Sequence, residues 1–168
     1  MGLDMYLTKD FYVKNWDHYK PEQRWDITVN RGGDVASEID PSKISNITVD
    51  VAYWRKANAI HKWFVDEVQG GTDECQRSYV TPEQLADLVD RCERILATVT
   101  PAFGAVTCDA ELAGELLPTQ DGFFFGSTDY DEWYIEDLKT TVAQLKPELA
   151  LEPEEGAWGW DYHYQASW

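Results

Sequence analysis

The sequence predicts an α+β fold: a single domain over residues 1–168, with an antiparallel sheet packed against three to four helices. Three observations carry this expectation. Apolar and polar residues alternate with period two near the N-terminus and again at the C-terminus. Helical period occupies the middle of the chain. Strands come first, helices next and one strand last, whereas a doubly wound parallel sheet needs regular alternation of the two. The length is enough for one domain with its own core.

In order, Leu3, Met5 and Leu7 alternate with Asp4, Tyr6 and Thr8, which predicts a strand over residues 3–8. Residues 11–23 have no clean period and are broken by Pro21. Trp25, Ile27 and Val29 alternate with Asp26, Thr28 and Asn30 as a second strand, closed by the turn signal Arg31-Gly32-Gly33-Asp34. Neither a Walker spacing nor a dinucleotide fingerprint follows that turn. A polar loop with Pro41 leads to a third strand at Ile47, Val49 and Val51.

That strand is expected to run directly into a helix over residues 52–65. On its wheel Tyr53, Ala57, Ile60 and Phe64 share a core face, and Trp54, Asn58, His61 and Val65 form a stripe beside it. Arg55 and Lys62 lie roughly opposite the core. The helix should stop between Val68 and Gly71, where Gly70 and Gly71 accept the left-handed cap. Thr81-Pro82-Glu83-Gln84 opens the next helix, with a Thr cap, Pro in the first turn and Gln three residues on. Leu85, Leu88, Val89, Cys92, Ile95 and Leu96 give its buried stripe.

A short helix is expected from Ala110 to Leu117. Gly122-Phe123-Phe124-Phe125-Gly126 reads as a short buried strand or a tight bend with backbone close to a neighbour. Ser127 or Thr128 would cap a helix whose apolar face is Tyr134, Leu138, Val142 and Leu145, ending at Pro147. Residues 148–155 read as an acidic linker. Trp158, Trp160, Tyr162 and Tyr164 then alternate with polar residues as a terminal strand with an aromatic face. This strand is expected either in the core or at a homo-oligomer interface, and beside the first strand in the sheet.

Composition narrows the function classes. The net charge of −17 repels nucleic acid and anionic lipid, so direct nucleic-acid binding is not expected. Residues 109–161 hold 14 acidic side chains against two basic ones, Lys139 and Lys146. That block is a solvated surface or an imitation of a phosphate backbone. No run reaches a membrane-spanning length, and the N-terminus lacks signal-peptide order. Cys75, Cys92 and Cys108 are odd in number and show no CxxC spacing, as expected of a reduced, cytoplasmic protein.

No cofactor or metal is expected, since His18, His61 and His163 lie in distant segments without a ligand spacing. Nucleophile signatures are absent as well. His61 with Asp4 or Asp50 would be the acid–base pair of a small hydrolase if the fold joined them. Ligand capture uses more of the unusual residues. Flat aromatics stack on a base, at roughly 1–3 kcal/mol each. Arg, Lys and helix N-terminal amides hold phosphate. The candidate binding residues are Trp54, Arg55, Asn58, His61 and Lys62 on the central segment, with Ser127 and Thr128 at the later helix start. Tyr53, Lys56 and Trp63 add surface and charge, although these faces cannot all line one pocket of a helix.

The strings Met1-Gly2-Leu3-Asp4-Met5-Tyr6-Leu7, Tyr53-Trp54-Arg55-Lys56-Ala57-Asn58, Gly122-Phe123-Phe124-Phe125-Gly126-Ser127 and the final Ser167-Trp168 resemble a family of small uncharacterised proteins of bacteriophages and their hosts. The resemblance implies a phage setting and the host cytoplasm, without an activity or catalytic residues. In that setting two expectations stand side by side. One is a non-enzymatic accessory protein that binds a small nucleotide-like ligand and so sequesters a host defence signal. The other is an acidic inhibitor of a host protein that handles nucleic acid.

Overall fold

A computed structural model describes residues 2–102, 104–122, 125–152 and 159–168. In chain order it holds β1 (Asp4–Tyr12), β2 (Asn30–Arg31), β3 (Asp34–Val35), β4 (Asn46–Arg55), α1 (Asn58–Glu67), β5 (Ser78–Val80), α2 (Pro82–Leu96), β6 (Thr100–Ala102), β7 (Ala105–Thr107), α3 (Ala110–Leu116), α4 (Glu132–Leu149) and β8 (Trp160–Ser167). Four strands form the main sheet in the order β4-β1-β8-β5, all antiparallel. The fold is α+β, and the first and last strands are neighbours, as their patterns suggested.

One face of this sheet is the core. Leu3, Met5 and Leu7 from the β1 region, Trp54 from β4 and Tyr162 and Tyr164 from β8 are buried against Ile60, Phe64, Leu85, Leu88, Ile135 and Leu138 of the helices. The other face is open, with Tyr6, Tyr53 and Tyr79 exposed on it. β1 runs four residues past the expected end. Lys9 obscured this by occupying an inward position, where it is 8% exposed. Its ammonium meets the Glu148 carboxylate at 2.7 Å and lies over the Phe11 and Trp160 rings.

The central segment is the main correction. Residues 52–55 continue β4 instead of starting a helix, and α1 begins only at Asn58. The reason is a bulge. Leu7 pairs with Ala52 but Thr8 pairs with Asp50, so Val51 is an extra residue in β4. The inward set shifts from Ile47 and Val49 to Ala52 and Trp54, which breaks the alternation and imitates a helical spacing. Lys56, at φ 60°, then turns the chain out of the strand. Its amide donates to the Leu3 carbonyl at 2.8 Å and its carbonyl accepts from Asn58 N at 2.9 Å.

Trp25 to Val29 is not a ladder strand. The Asn15 side chain bonds both the amide and the carbonyl of Trp25, each at 2.8 Å, in place of a neighbouring strand. Pairing is confined to Asn30–Arg31 with Asp34–Val35, across the expected Gly32-Gly33 turn. Gln144 of α4 plays the same part at the outer edge of β4. It accepts from Tyr53 N at 2.9 Å and its amide donates to Tyr53 O at 3.3 Å. That side chain blunts an edge strand.

The helix signals held where they were local. Gly70 and Gly71 take positive φ after α1, with Gly71 N bonded to Val65 O. Thr81 and Gln84 form the capping box of α2, and Cys92 is buried, which drives its thiol pKa well up. α3 starts at Ala110 as expected. α4, in contrast, is capped by Asp131 rather than Ser127 or Thr128, its Oδ1 accepting from Trp133 N and Tyr134 N. It also continues through Pro147 to Leu149. The expected acidic linker opens inside α4, at residues 148–149, and its residues 153–155, with Phe123, Phe124 and Trp158, lie outside the described residues.

β8 is an internal strand. Tyr162, Tyr164 and Ala166 point into the core. β1 covers one edge, β5 pairs along the other from Tyr162 to Tyr164, and Gln165 Nε2 donates to Cys75 O beyond that point. Tyr162 and Tyr164 therefore take the core placement of the two expected for this strand. No helix among the described residues is long and apolar enough to cross a membrane.

Candidate functional site

A cavity of about 250 Å³ opens where β4 hands over to α1, under the segment that leads into α4. Arg55 and Lys56 stand on one side, Asn58 and Ala59 at the start of α1, Gly126 and Ser127 on a second wall, and Trp133, Tyr134 and Asp137 on α4. The local chain chemistry explains the shape. Lys56 in the left-handed conformation swings the strand end around, and the following Ala57 offers no side-chain cap to α1. The Asn58 amide is taken by the Lys56 carbonyl, and no side chain caps the amides that follow it beside the cavity, the arrangement that favours an anion.

Asn58 holds the second wall. It is 4% exposed, donates to Phe125 O at 3.0 Å and Ser127 O at 2.7 Å, and accepts from Gln120 N at 3.1 Å. Gly126, at φ 89°, takes the left-handed conformation that favours glycine, and a Cβ there would be in ordinary contact with the Lys56 Cβ and carbonyl at 3.4 Å. Ser127 Oγ accepts from Asp129 N at 3.1 Å and lies 3.3 Å from Asp129 Oδ2, in a local turn.

Most of the cations are paired among the described residues. Lys9, Arg31, Lys62, Arg77, Arg91 and Lys146 each hold a carboxylate within 4 Å. Arg55 and Lys56 make no ion pair and no side-chain hydrogen bond among the described residues. Two adjacent free cations in so acidic a chain are available to an incoming anion.

Asp129, Asp131 and Asp137 also line the cavity. Asp131 is engaged in capping α4 and Asp129 in the Ser127 turn. The Asp137 carboxyl has neither hydrogen bond nor ion pair among the described residues, while its backbone carbonyl accepts from Thr141 Oγ1 at 2.7 Å. Burial, reinforced by the charges of Asp131 and Glu136, pushes its pKa from 3.8 up to about 7. A native carboxyl held above its unfolded value favours the protonated state. The stability it lends is present below about pH 4 and is lost as pH rises towards about 7. Asp137→Asn should therefore raise stability at about pH 8 by about 1–2 kcal/mol, allowing for partial solvent screening, and leave it unchanged at about pH 4. Thermal melts at the two pH values check this; an Asn variant that is less stable at the higher pH would refute the assignment.

Of the sequence candidates, Arg55, Asn58 and Ser127 meet at the cavity and the other four do not. Trp54 is 2% exposed, with Nε1 donating to Thr141 Oγ1 at 2.9 Å, because the bulge turns it inward. His61 is fully buried between Tyr164 and Asp73, far from the acid–base pairing with Asp4 or Asp50. Lys62 pairs with Asp66 one turn along α1. Thr128 contributes its carbonyl to Thr119 Oγ1 and does not line the cavity. Tyr53 faces the open side of the sheet and Trp63 is core.

Trp133 and Asp137 were missed. They sit at i and i+4 on α4, one stripe away from the Tyr134–Leu138 face, and this spacing was the available signal. Among the described residues no three His, Cys, Asp or Glu side chains gather as a metal site. Comparison with protein-family models, with curated proteins and with solved structures finds no match.

Proposed function

We propose that the protein is a non-enzymatic binder of a small nucleotide-like anion, taken into the cavity between the β4–α1 junction and α4. The observation that carries this reading is the unpaired Arg55–Lys56 couple beside the uncapped start of α1. Phosphate oxygens accept charge-assisted bonds from such donors. Trp133, 71% exposed at the cavity margin, offers the flat surface a base stacks on. The buried pairing of His61 supports binding over hydrolysis, since neither of its ring nitrogens reaches Ser127 or the cavity. Sequestration of a signalling nucleotide, in the phage setting that the sequence resemblance implies, is the biological form of this proposal.

Calorimetry with a panel of nucleotides tests it. Arg55→Ala/Lys56→Ala should weaken binding roughly 10–100-fold, the loss of one to two charge-assisted bonds. The melting temperature should stay unchanged, because both side chains are exposed. No binding at high micromolar nucleotide would end this reading.

A further inference from the structure

We infer that the ligand of this cavity carries its anionic group at one end and an amino-substituted ring at the other, and that Asp137 receives the ring's N–H donors. The inference rests on the nucleotide reading above and names the base class within it: a purine with a ring N–H beside an exocyclic amine, as in guanine.

The cavity is lined by both cations and carboxylates. Asp137 responds to Asp131 and Glu136, and neither Arg55 nor Lys56 offsets its raised pKa. The cations line the cavity from the β4–α1 junction and the carboxyl lines it from α4, so a simple anion would satisfy only the first.

The second step is the state of the three carboxylates. Asp131 and Asp129 already accept hydrogen bonds from backbone amides, so their geometry is fixed by the fold. The Asp137 carboxyl has no partner among the described residues. A carboxylate without a partner in a partly desolvated place is unfavourable unless donors arrive from outside. An ionised carboxylate only accepts, and its two oxygens match two adjacent N–H groups.

The third step is position. Trp133 and Asp137 are four residues apart on α4, so their side chains are neighbours on one face. A ring stacked on Trp133 presents its edge one helical turn further along, where Asp137 stands. Guanine offers N1–H and the 2-amino group on that edge. Hypoxanthine keeps N1–H and lacks the amine. Adenine places an acceptor beside its amine, which repels an ionised carboxylate.

Calorimetry on the full chain at about pH 8, where the carboxyl is ionised, uses guanosine, inosine and adenosine monophosphates as probes. Guanosine monophosphate should bind about tenfold or more tighter than either of the others, and Asp137→Asn should abolish that preference. Equal affinity for the three overturns the inference while the nucleotide reading stands. Binding by none of them overturns both. The comparison among probes uses the unmodified protein, so it decides the matter even where the Asn variant folds poorly.

Discussion

Deleting residues 160–168 should leave an insoluble or molten chain. β8 lies between β1 and β5, and its removal exposes both edges at once. It also removes Tyr162 and Tyr164, which are 3% and 0% exposed, from the centre of the core. Tyr164 stacks on Phe64 with centroids 3.8 Å apart and planes within 5°. Burial of each such ring contributes roughly 1.5–3 kcal/mol, and a domain of this kind has about 5–15 kcal/mol in all. Loss of the ladder to β1 from Asp4 to Phe11 adds to that. Near-UV circular dichroism and binding of a hydrophobic dye to any soluble fraction report the outcome. A soluble truncated chain with a native near-UV spectrum and a cooperative melt would show that β8 is dispensable. The same placement predicts that the full chain does not dimerise through this strand.

Signals contained within a few residues were legible in the sequence, and signals made by distant residues were not. The α2 capping box, the Gly70-Gly71 stop and the Gly32-Gly33 hairpin each depend on neighbours in the chain, so their chemistry was visible there. The bulge at Val51 was invisible because it is a property of a pair of strands. One inserted residue moved Trp54 from a supposed ligand stripe into the core. Asn15 on Trp25 and Gln144 on Tyr53 show a related effect: a side chain 10 or 91 residues away satisfies backbone that a ladder would otherwise need. The candidate cavity is legible to the same degree. Arg55, Lys56, Asn58 and Ser127 stood out as cations and polar groups beside aromatics, yet a helical wheel put Arg55 and Asn58 on different faces and left Ser127 apart. Strand end, left-handed turn and helix start bring them together instead. Asp137 gave no sign alone; burial under neighbouring elements makes it unusual.

His61→Ala should cost about 3–5 kcal/mol, far more than an ordinary histidine on a helix. The ring is fully buried. Its Nε2 lies 3.0 Å from Asp73 Oδ2 and its Nδ1 2.8 Å from the Tyr164 hydroxyl. An ionised carboxylate only accepts, so a neutral imidazole here carries its proton on Nε2 and accepts from the phenol at Nδ1. Burial, with the charges of Asp73 and Cys75, holds the Tyr164 pKa well up, so that hydroxyl keeps its proton. Asp73 also accepts from Trp168 Nε1 at 3.2 Å, which ties the end of the chain into the same set of bonds. Removing the imidazole opens a cavity, orphans the Tyr164 hydroxyl and frees one oxygen of Asp73. Tyr164→Phe keeps the packing and loses one bond, so it should cost only about 1–2 kcal/mol. Urea unfolding of the two variants separates packing from hydrogen bonding. A His61→Ala protein within about 1 kcal/mol of the parent would mean that water replaces the ring without loss. The consequence reaches the cavity, because the Phe125 ring lies edge-on to His61 with centroids 5.1 Å apart, and Asn58 holds the Phe125 carbonyl. Loosening Phe125 loosens the Gly126–Ser127 wall that follows it, so His61→Ala should also weaken nucleotide binding under conditions where it remains folded.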